Sequence, residues 1–168
     1  MQADTTHVCL IGPMGVGKTT VGRRVADALG RTFDDSDAWI RRTTGRDAAT
    51  IADDEGVARL HALEADHALT ALARTAPSVV ALAASAPDDD RVVDALSGHI
   101  VVSLTAPAEV LVERLPGAAH RRRLGPDPVT AMEALIRSRA GRVDPTLTVS
   151  TTGDPDDAVA AVLAVVGG

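Results

Sequence analysis

At 168 residues with 45% hydrophobic content, the chain has the size of one domain and enough apolar mass to bury a core of ordinary proportions. A formal charge of -6 argues against nucleic acid or an anionic membrane surface as its main partner. One cysteine excludes a disulfide framework, and no apolar run approaches the ~20 residues that span a bilayer, so a cytoplasmic monomer without membrane contact is expected.

The first predicted strand is His7-Val8-Cys9-Leu10-Ile11, a short apolar run with β-branched members in which Cys9 reads as a small buried hydrophobe. Gly12-Pro13-Met14-Gly15-Val16-Gly17-Lys18-Thr19-Thr20 follows and fits G-x-x-x-x-G-K-[ST], the loop whose backbone N–H groups converge on a polyphosphate. Side chains at positions 12, 15 and 17 are expected to obstruct that approach, which glycine permits. A helix opening near Lys18 aims its unpaired amides and dipole at the same anion. Lys18, the only lysine in the chain, reaches the β and γ oxygens, and the Thr19 hydroxyl is placed to ligate Mg²⁺. Val21, Val25 and Leu29 share one face of the helix, and Gly30 stops it.

Arg31-Thr32-Phe33 predicts a second strand ending in Asp34-Asp35-Ser36-Asp37, where Ser36 or Asp37 caps a helix running to Thr44 and stopped by Gly45. Asp47 to Asp54 predicts a brief helix and Val57 to Arg74 a longer one. Ser78 to Ala83 is the third strand, followed by an acidic cap, Asp88-Asp89-Asp90, and a helix from Arg91 to Leu96. Ile100 to Leu104 is the fourth strand and Ala108 to Leu115 the fourth crossover helix. Pro116 to Pro128, with its glycines, prolines and three consecutive arginines, is too irregular for an element. Val129 to Arg139 resumes helical spacing, Thr146 to Val149 is the last strand, and Pro155 opens a final helix from an Asp154 cap. Alternating strands and helices predict a parallel sheet covered on both faces, with the ligand site at the carboxyl ends of its strands. With Phe33 and Trp39 and no tyrosine, the core must be aliphatic and stacking surfaces are scarce.

On these residues the chain resembles the shikimate kinases, a branch of the nucleoside-monophosphate-kinase type of P-loop fold. The resemblance rests on the loop Gly12 to Thr19, on Phe33-x-Asp35-x-Asp37 with Ile40 and Gly45 behind it, on Gly56 and Glu64, on Arg114, on the arginine-bearing segment and on Arg139. It implies an α/β, three-layer α/β/α P-loop NTPase fold with a five-stranded parallel sheet, residues 1–168 forming a single P-loop kinase domain with a lid at about 116–128. It further implies ATP and Mg²⁺ as cofactors and phosphoryl transfer to a hydroxyl of a small metabolite. In the resemblance Gly12, Gly15, Val16, Gly17, Lys18, Thr19 and Thr20 hold the nucleotide, and Arg114 flanks the adenine ring. Thr19 and Asp35 serve the metal, with Asp35 acting through water. Asp37 orients or deprotonates the acceptor hydroxyl, and Arg121 closes over the γ phosphate, so that Lys18, Asp37 and Arg121 form the catalytic set. Asp37, His61, Ala84 and Arg139 form the acceptor set.

The acceptor half departs from the family pattern. Phe-Arg-x-x-Glu reads Leu60-His61-Ala62-Leu63-Glu64, so a histidine stands where an arginine grips the shikimate carboxylate. Gly-Gly-Gly reads Ala83-Ala84-Ser85, whose Cβ atoms narrow the site and whose Ser85 hydroxyl is a candidate for the Mg²⁺ water shell. Arg-x-Pro-x-Tyr reads Arg139-Ala140-Gly141-Arg142-Val143, with Arg142 as an alternative source of the missing guanidinium. A histidine is neither bidentate nor reliably charged at pH 7, which makes shikimate itself a doubtful acceptor. Two other readings stand beside transfer: an ATP-binding protein of this fold without phosphotransfer, and a nucleoside or nucleotide kinase. His61 and His67 lie about 240° apart around their helix, so with Glu64 they are not read as a metal site; His61 and Glu64 are expected to pair at the acceptor pocket. His7, His99 and His120 show no partners in the sequence.

Overall fold

The structure is a computed structural model and describes residues 5–117 and 123–167. The strands are β1 (Val8–Ile11), β2 (Thr32–Asp35), β3 (Ser78–Ala81), β4 (Ile100–Thr105) and β5 (Leu147–Ser150). The helices are α1 (Lys18–Leu29), α2 (Ser36–Thr44), α3 (Ala48–Glu55), α4 (Val57–Leu72), α5 (Asp90–Ala95), α6 (Ala108–Arg114), α7 (Pro128–Arg139) and α8 (Pro155–Val166), with a 3-10 turn at Ala86–Asp88.

All five strands are parallel, in the order β2-β3-β1-β4-β5. The central strand β1 aligns Val8 with Val79 on one side and with Ile100 on the other. The chain lays β2 and β3 to one side of β1 and β4 and β5 to the other, which opens a crevice outside the carboxyl end of β1.

Strand alternation divides the core between the two faces. Val8 and Leu10 join Val79, Val102 and Leu104 against α1, α6, α7 and α8, whose contributions include Val21, Val25, Leu111, Met132 and Val162. Cys9 and Ile11 join Val80 and Val101 against α4 and α5 through Ala68, Leu72, Val92 and Leu96. Burial alone pushes the Cys9 thiol up to about 12, which keeps it unreactive. A smaller cluster of Ile40, Ile51 and Leu63, with Trp39 and Leu60 against it, knits α2, α3 and α4 into a layer beside the crevice. Among the described residues no helix is long and apolar enough to cross a membrane.

Several local expectations shift. Neither Ser36 nor Asp37 caps α2: the extended Asp35 does, its carboxylate accepting from Ala38 N at 3.2 Å, while Ser36 is buried as the first helical residue. The third strand stops at Ala81, two residues early, although Leu82 N still donates to Leu10 O at 3.0 Å. Pro128 opens α7 from an Asp127 cap, which suits a residue lacking an N–H at the first turn. The histidines His7 and His99 do have partners. His7 Nε2 lies 3.0 Å from Arg74 O and therefore carries the proton, which leaves Nδ1 to accept from Ser78 N at 3.2 Å. His99 Nδ1, just before β4, in turn accepts from His7 N at 3.2 Å, so the amino ends of β1, β3 and β4 are tied together. His120 lies outside the described residues.

Candidate functional site

The loop after β1 shows why its glycines are glycines, and the reason differs from the expected one. A Cβ on Gly12 (φ +147°) would sit 2.5 Å from Leu104 O, and one on Gly15 (φ +80°) 2.9 Å from Leu111 O. The obstruction at these positions is therefore the protein's own backbone at the end of β4 and on α6. Gly17 has open space around it and is held to glycine by its left-handed φ of +101°. As the N-cap of α1 it supplies no side chain for the first-turn amides, whereas aspartates cap α2, α3, α5, α7 and α8. Those amides and the positive end of the helix dipole lie at the crevice, an arrangement that fits a polyphosphate. Val16 buries its side chain completely in the core and offers the site only backbone, and Thr20 is exposed on the first turn of α1.

Lys18 curls over the loop, its Nζ donating to Gly12 O at 2.7 Å and Pro13 O at 3.1 Å. Burial lowers its pKa to about 8 against the opposing pull of Asp37 and Asp35. Next to it the Thr19 hydroxyl donates to Asp35 Oδ2 at 2.7 Å. The two oxygens are a hard donor pair suited to Mg²⁺. Alternation along β2 turns Asp35 toward the loop and Asp34 inward, where Asp34 meets Arg74 Nη1 at 2.6 Å, His67 Nε2 at 3.4 Å and Arg42 Nη2 at 3.6 Å. The His67 ring beside it, with the Arg74 guanidinium adding, holds the Asp34 carboxyl down at about 2 despite its burial. The buried His67 thus faces β2, away from any cluster with His61.

Asp37 is exposed on the first turn of α2, close enough for its charge to act on both Lys18 and Glu64. Glu64 does not pair with His61; it accepts from the buried Ser85 hydroxyl, which is thereby committed to a protein partner. Burial raises the Glu64 pKa, with Asp37 adding to the rise. The Ala83-Ala84-Ser85 segment makes its turn at negative φ, Ala83 O accepting from Ala86 N at 3.0 Å, and leaves Ala84 half-buried at the rim. His61 and Ser85 line a groove between α4 and the 3-10 turn, with Asp88 on its far side. Burial and the nearby Arg139 lower the His61 pKa, so it is no cation at pH 7.

The three aspartates read as one cap divide their work. Asp89 alone caps α5, Asp88 grips Arg139, and Asp90 pairs with Arg142 Nη2 at 2.6 Å. The Arg142 Nε also donates to Pro87 O at 2.6 Å, so Arg142 is anchored to the turn. Arg114 lies beside the loop, its Cβ facing Gly15, and its guanidinium is fixed by Thr151 through Nη1 to Oγ1 at 3.2 Å and Nη2 to O at 2.6 Å. Thr151 Oγ1 itself donates to Val16 O at 2.7 Å. Nothing in the sequence pattern singled out Thr151. Arg121 falls outside the described residues, but Arg123 donates to Asp53 Oδ1 at 2.7 Å and Ala49 O at 3.1 Å, which anchors Arg123 on α3.

The structure therefore brings Lys18, Thr19, Asp35, Asp37, Glu64 and Arg139 into one electrostatic neighbourhood, with Arg114 at the other end of the loop. The sequence profile of the shikimate kinase family matches residues 14–164. A shikimate kinase of Salinispora tropica is 40% identical over 133 residues, covering 79% of each chain, and one of Thermobifida fusca is 36% identical over 157 residues, covering 92% of this chain and 91% of its own. Among solved structures, the shikimate kinase of Acinetobacter baumannii in complex with shikimate superimposes with a TM-score of 0.88 at 30% identity, over 97% of this chain and 93% of its own.

Proposed function

The chain belongs to the shikimate kinase family, whose members are ATP- and Mg²⁺-dependent kinases acting on a small-molecule hydroxyl, and we propose that it transfers a phosphoryl group to a ring hydroxyl of a small polyhydroxylated acceptor. The observation that carries the reading is the Thr19–Asp35 hydrogen bond of 2.7 Å beside Lys18, at the mouth of a loop whose glycines are structurally required. In this reading the loop amides and Lys18 bind the polyphosphate, and Thr19 and Asp35 hold Mg²⁺, which neutralises charge on the transferring group. Asp37, on the first turn of α2, orients the acceptor hydroxyl and takes its proton on a carboxylate oxygen. Arg114 packs along the base and Arg121 closes over the phosphates. Residues 1–168 act as one kinase domain.

The acceptor half is read as altered. The neutral His61 stands where the family pattern has a carboxylate-binding arginine, and Ala83, Ala84 and Ser85 stand where it has glycines. Shikimate, the molecule bound in the Acinetobacter relative, is accordingly expected to bind weakly through its carboxylate while its ring hydroxyls still meet Asp37. Retention of Asp35 and Asp37 favours transfer over ATP binding alone, which needs neither. An ATP-consumption screen over shikimate, its methyl ester, polyols and aminocyclitols tests the proposal: turnover above the acceptor-free blank supports it, and none with any acceptor refutes it.

A further inference from the structure

We propose that Asp88 is a specificity-determining residue, an internal carboxylate seated on the Arg139 guanidinium that selects against acceptors carrying a carboxylate of their own. Arg139, at the end of α7, is largely buried and directs Nε at both Asp88 oxygens (3.1 Å each) and Nη2 at Oδ2 (2.8 Å). This is the forked two-point geometry with which an arginine holds a carboxylate ligand. Asp88 therefore occupies, from within the chain, the pairing that an acceptor carboxylate would need.

Among the described residues, the other cations around the groove are already engaged. Arg142 is engaged with Asp90 and Pro87 O, Arg91 with Asp89 at 2.7 Å, and His61, across the groove from Asp88, is neutral at pH 7. The carboxylates at this end, Asp37, Glu64, Asp88, Asp89 and Asp90, outnumber its described cations, and Lys18 is turned to Gly12 O and Pro13 O in the phosphate loop. An anionic acceptor would have to break a bidentate ion pair and enter a field of like charge, whereas an uncharged or cationic hydroxylated ring meets neither cost. Asp88 is positioned for this by the 3-10 turn Ala86–Asp88, which separates it from Asp89, the actual cap of α5.

The inference rests on the phosphotransfer reading for its catalytic setting, so binding and turnover are measured separately. Shikimate and its methyl ester present the same ring hydroxyls and differ in the charge at issue. Calorimetry with Mg²⁺ and a non-hydrolysable ATP analogue gives the acid-to-ester affinity ratio for wild type, Asp88→Asn, Asp88→Ala and, as a control on an exposed ion pair that does not line the groove, Asp54→Asn beside Arg46. Steady-state kinetics gives the same ratio in kcat/KM. Wild type should bind the ester at least as well as the acid, and both Asp88 variants should shift the ratio toward the acid by about tenfold or more through KM. Asp54→Asn should leave the ratio where it was. Tighter binding of the acid by wild type, or an unchanged ratio in both Asp88 variants, overturns the assignment, whether or not either compound is phosphorylated. Binding without turnover in any protein would instead refute the phosphotransfer reading alone.

Discussion

The Thr19 hydroxyl donates to Asp35 Oδ2 at 2.7 Å, joining the first turn of α1 to the end of β2. The same carboxylate caps α2 through Ala38 N, so one side chain ties the phosphate loop to the helix that carries Asp37. If the pair holds the metal as a unit, Thr19→Val and Asp35→Asn should each lower activity about 10- to 100-fold, and the double variant should be no worse than the poorer single one. Mg²⁺ titration of turnover checks this. Multiplicative losses would mean that the two residues act independently.

Lys18 gives a pH signature in the absence of nucleotide. Its folded pKa of about 8 lies below its ordinary value of 10.5, so between those values the unfolded chain holds a proton that the folded one has released. Lys18 thus makes stability rise with pH across that window. Lys18→Met should abolish the rise and, because the cation serves the polyphosphate, also abolish detectable ATP binding. Melting temperatures of both proteins from pH 7.5 to 10.5 isolate the effect as a difference, and calorimetric titration reads the ATP affinity.

Thr151 holds Arg114 through two contacts and braces the loop at Val16 O. Thr151→Val keeps the shape, retains the backbone contact and removes the hydroxyl. It should raise KM for ATP about three- to tenfold with little change in kcat, since the lost interaction positions the nucleotide equally in ground and transition states. A fall in kcat without a change in KM would contradict this assignment.

What was legible in the sequence is what chemistry fixes over short spacings. The glycine loop with Lys18 and Thr19, and the Asp35-x-Asp37 pair at a strand end, each lie within a few residues of one another. The alternation that puts Leu10 on one face and Cys9 on the other is equally local. The pairs that were missed join distant segments: Arg139 with Asp88, Arg114 with Thr151, and His7 with Ser78 and Arg74. Each exists because the strand order sets β3 beside β1 and brings α7 and the end of β5 to the crevice, and no residue periodicity encodes that register. The Asp88-Asp89-Asp90 run shows the limit most clearly, since any of the three suited a helix cap and only the turn geometry assigned them.

Asp34 supports the site from behind. Its carboxyl is held at about 2 by His67 and Arg74, below its ordinary 3.8, so it contributes stability fully above about pH 4 that is lost as pH falls through 2. Asp34→Asn should destabilise the protein by about 2 kcal/mol at pH 7. The difference from wild type should shrink below pH 4. Urea unfolding at pH 7, 4 and 2.5 checks the sign, and a pH-independent difference would assign the loss to packing.

Phosphorus NMR of a mixture of the protein, Mg²⁺, ATP and the methyl ester of shikimate tests the central claim most directly. A new phosphomonoester resonance should grow in step with ADP, slowed at least about 100-fold by Asp37→Asn, as expected for loss of a group that handles the acceptor proton. ATP that binds but yields no phosphomonoester with this acceptor, with shikimate or with the aminocyclitols would contradict it.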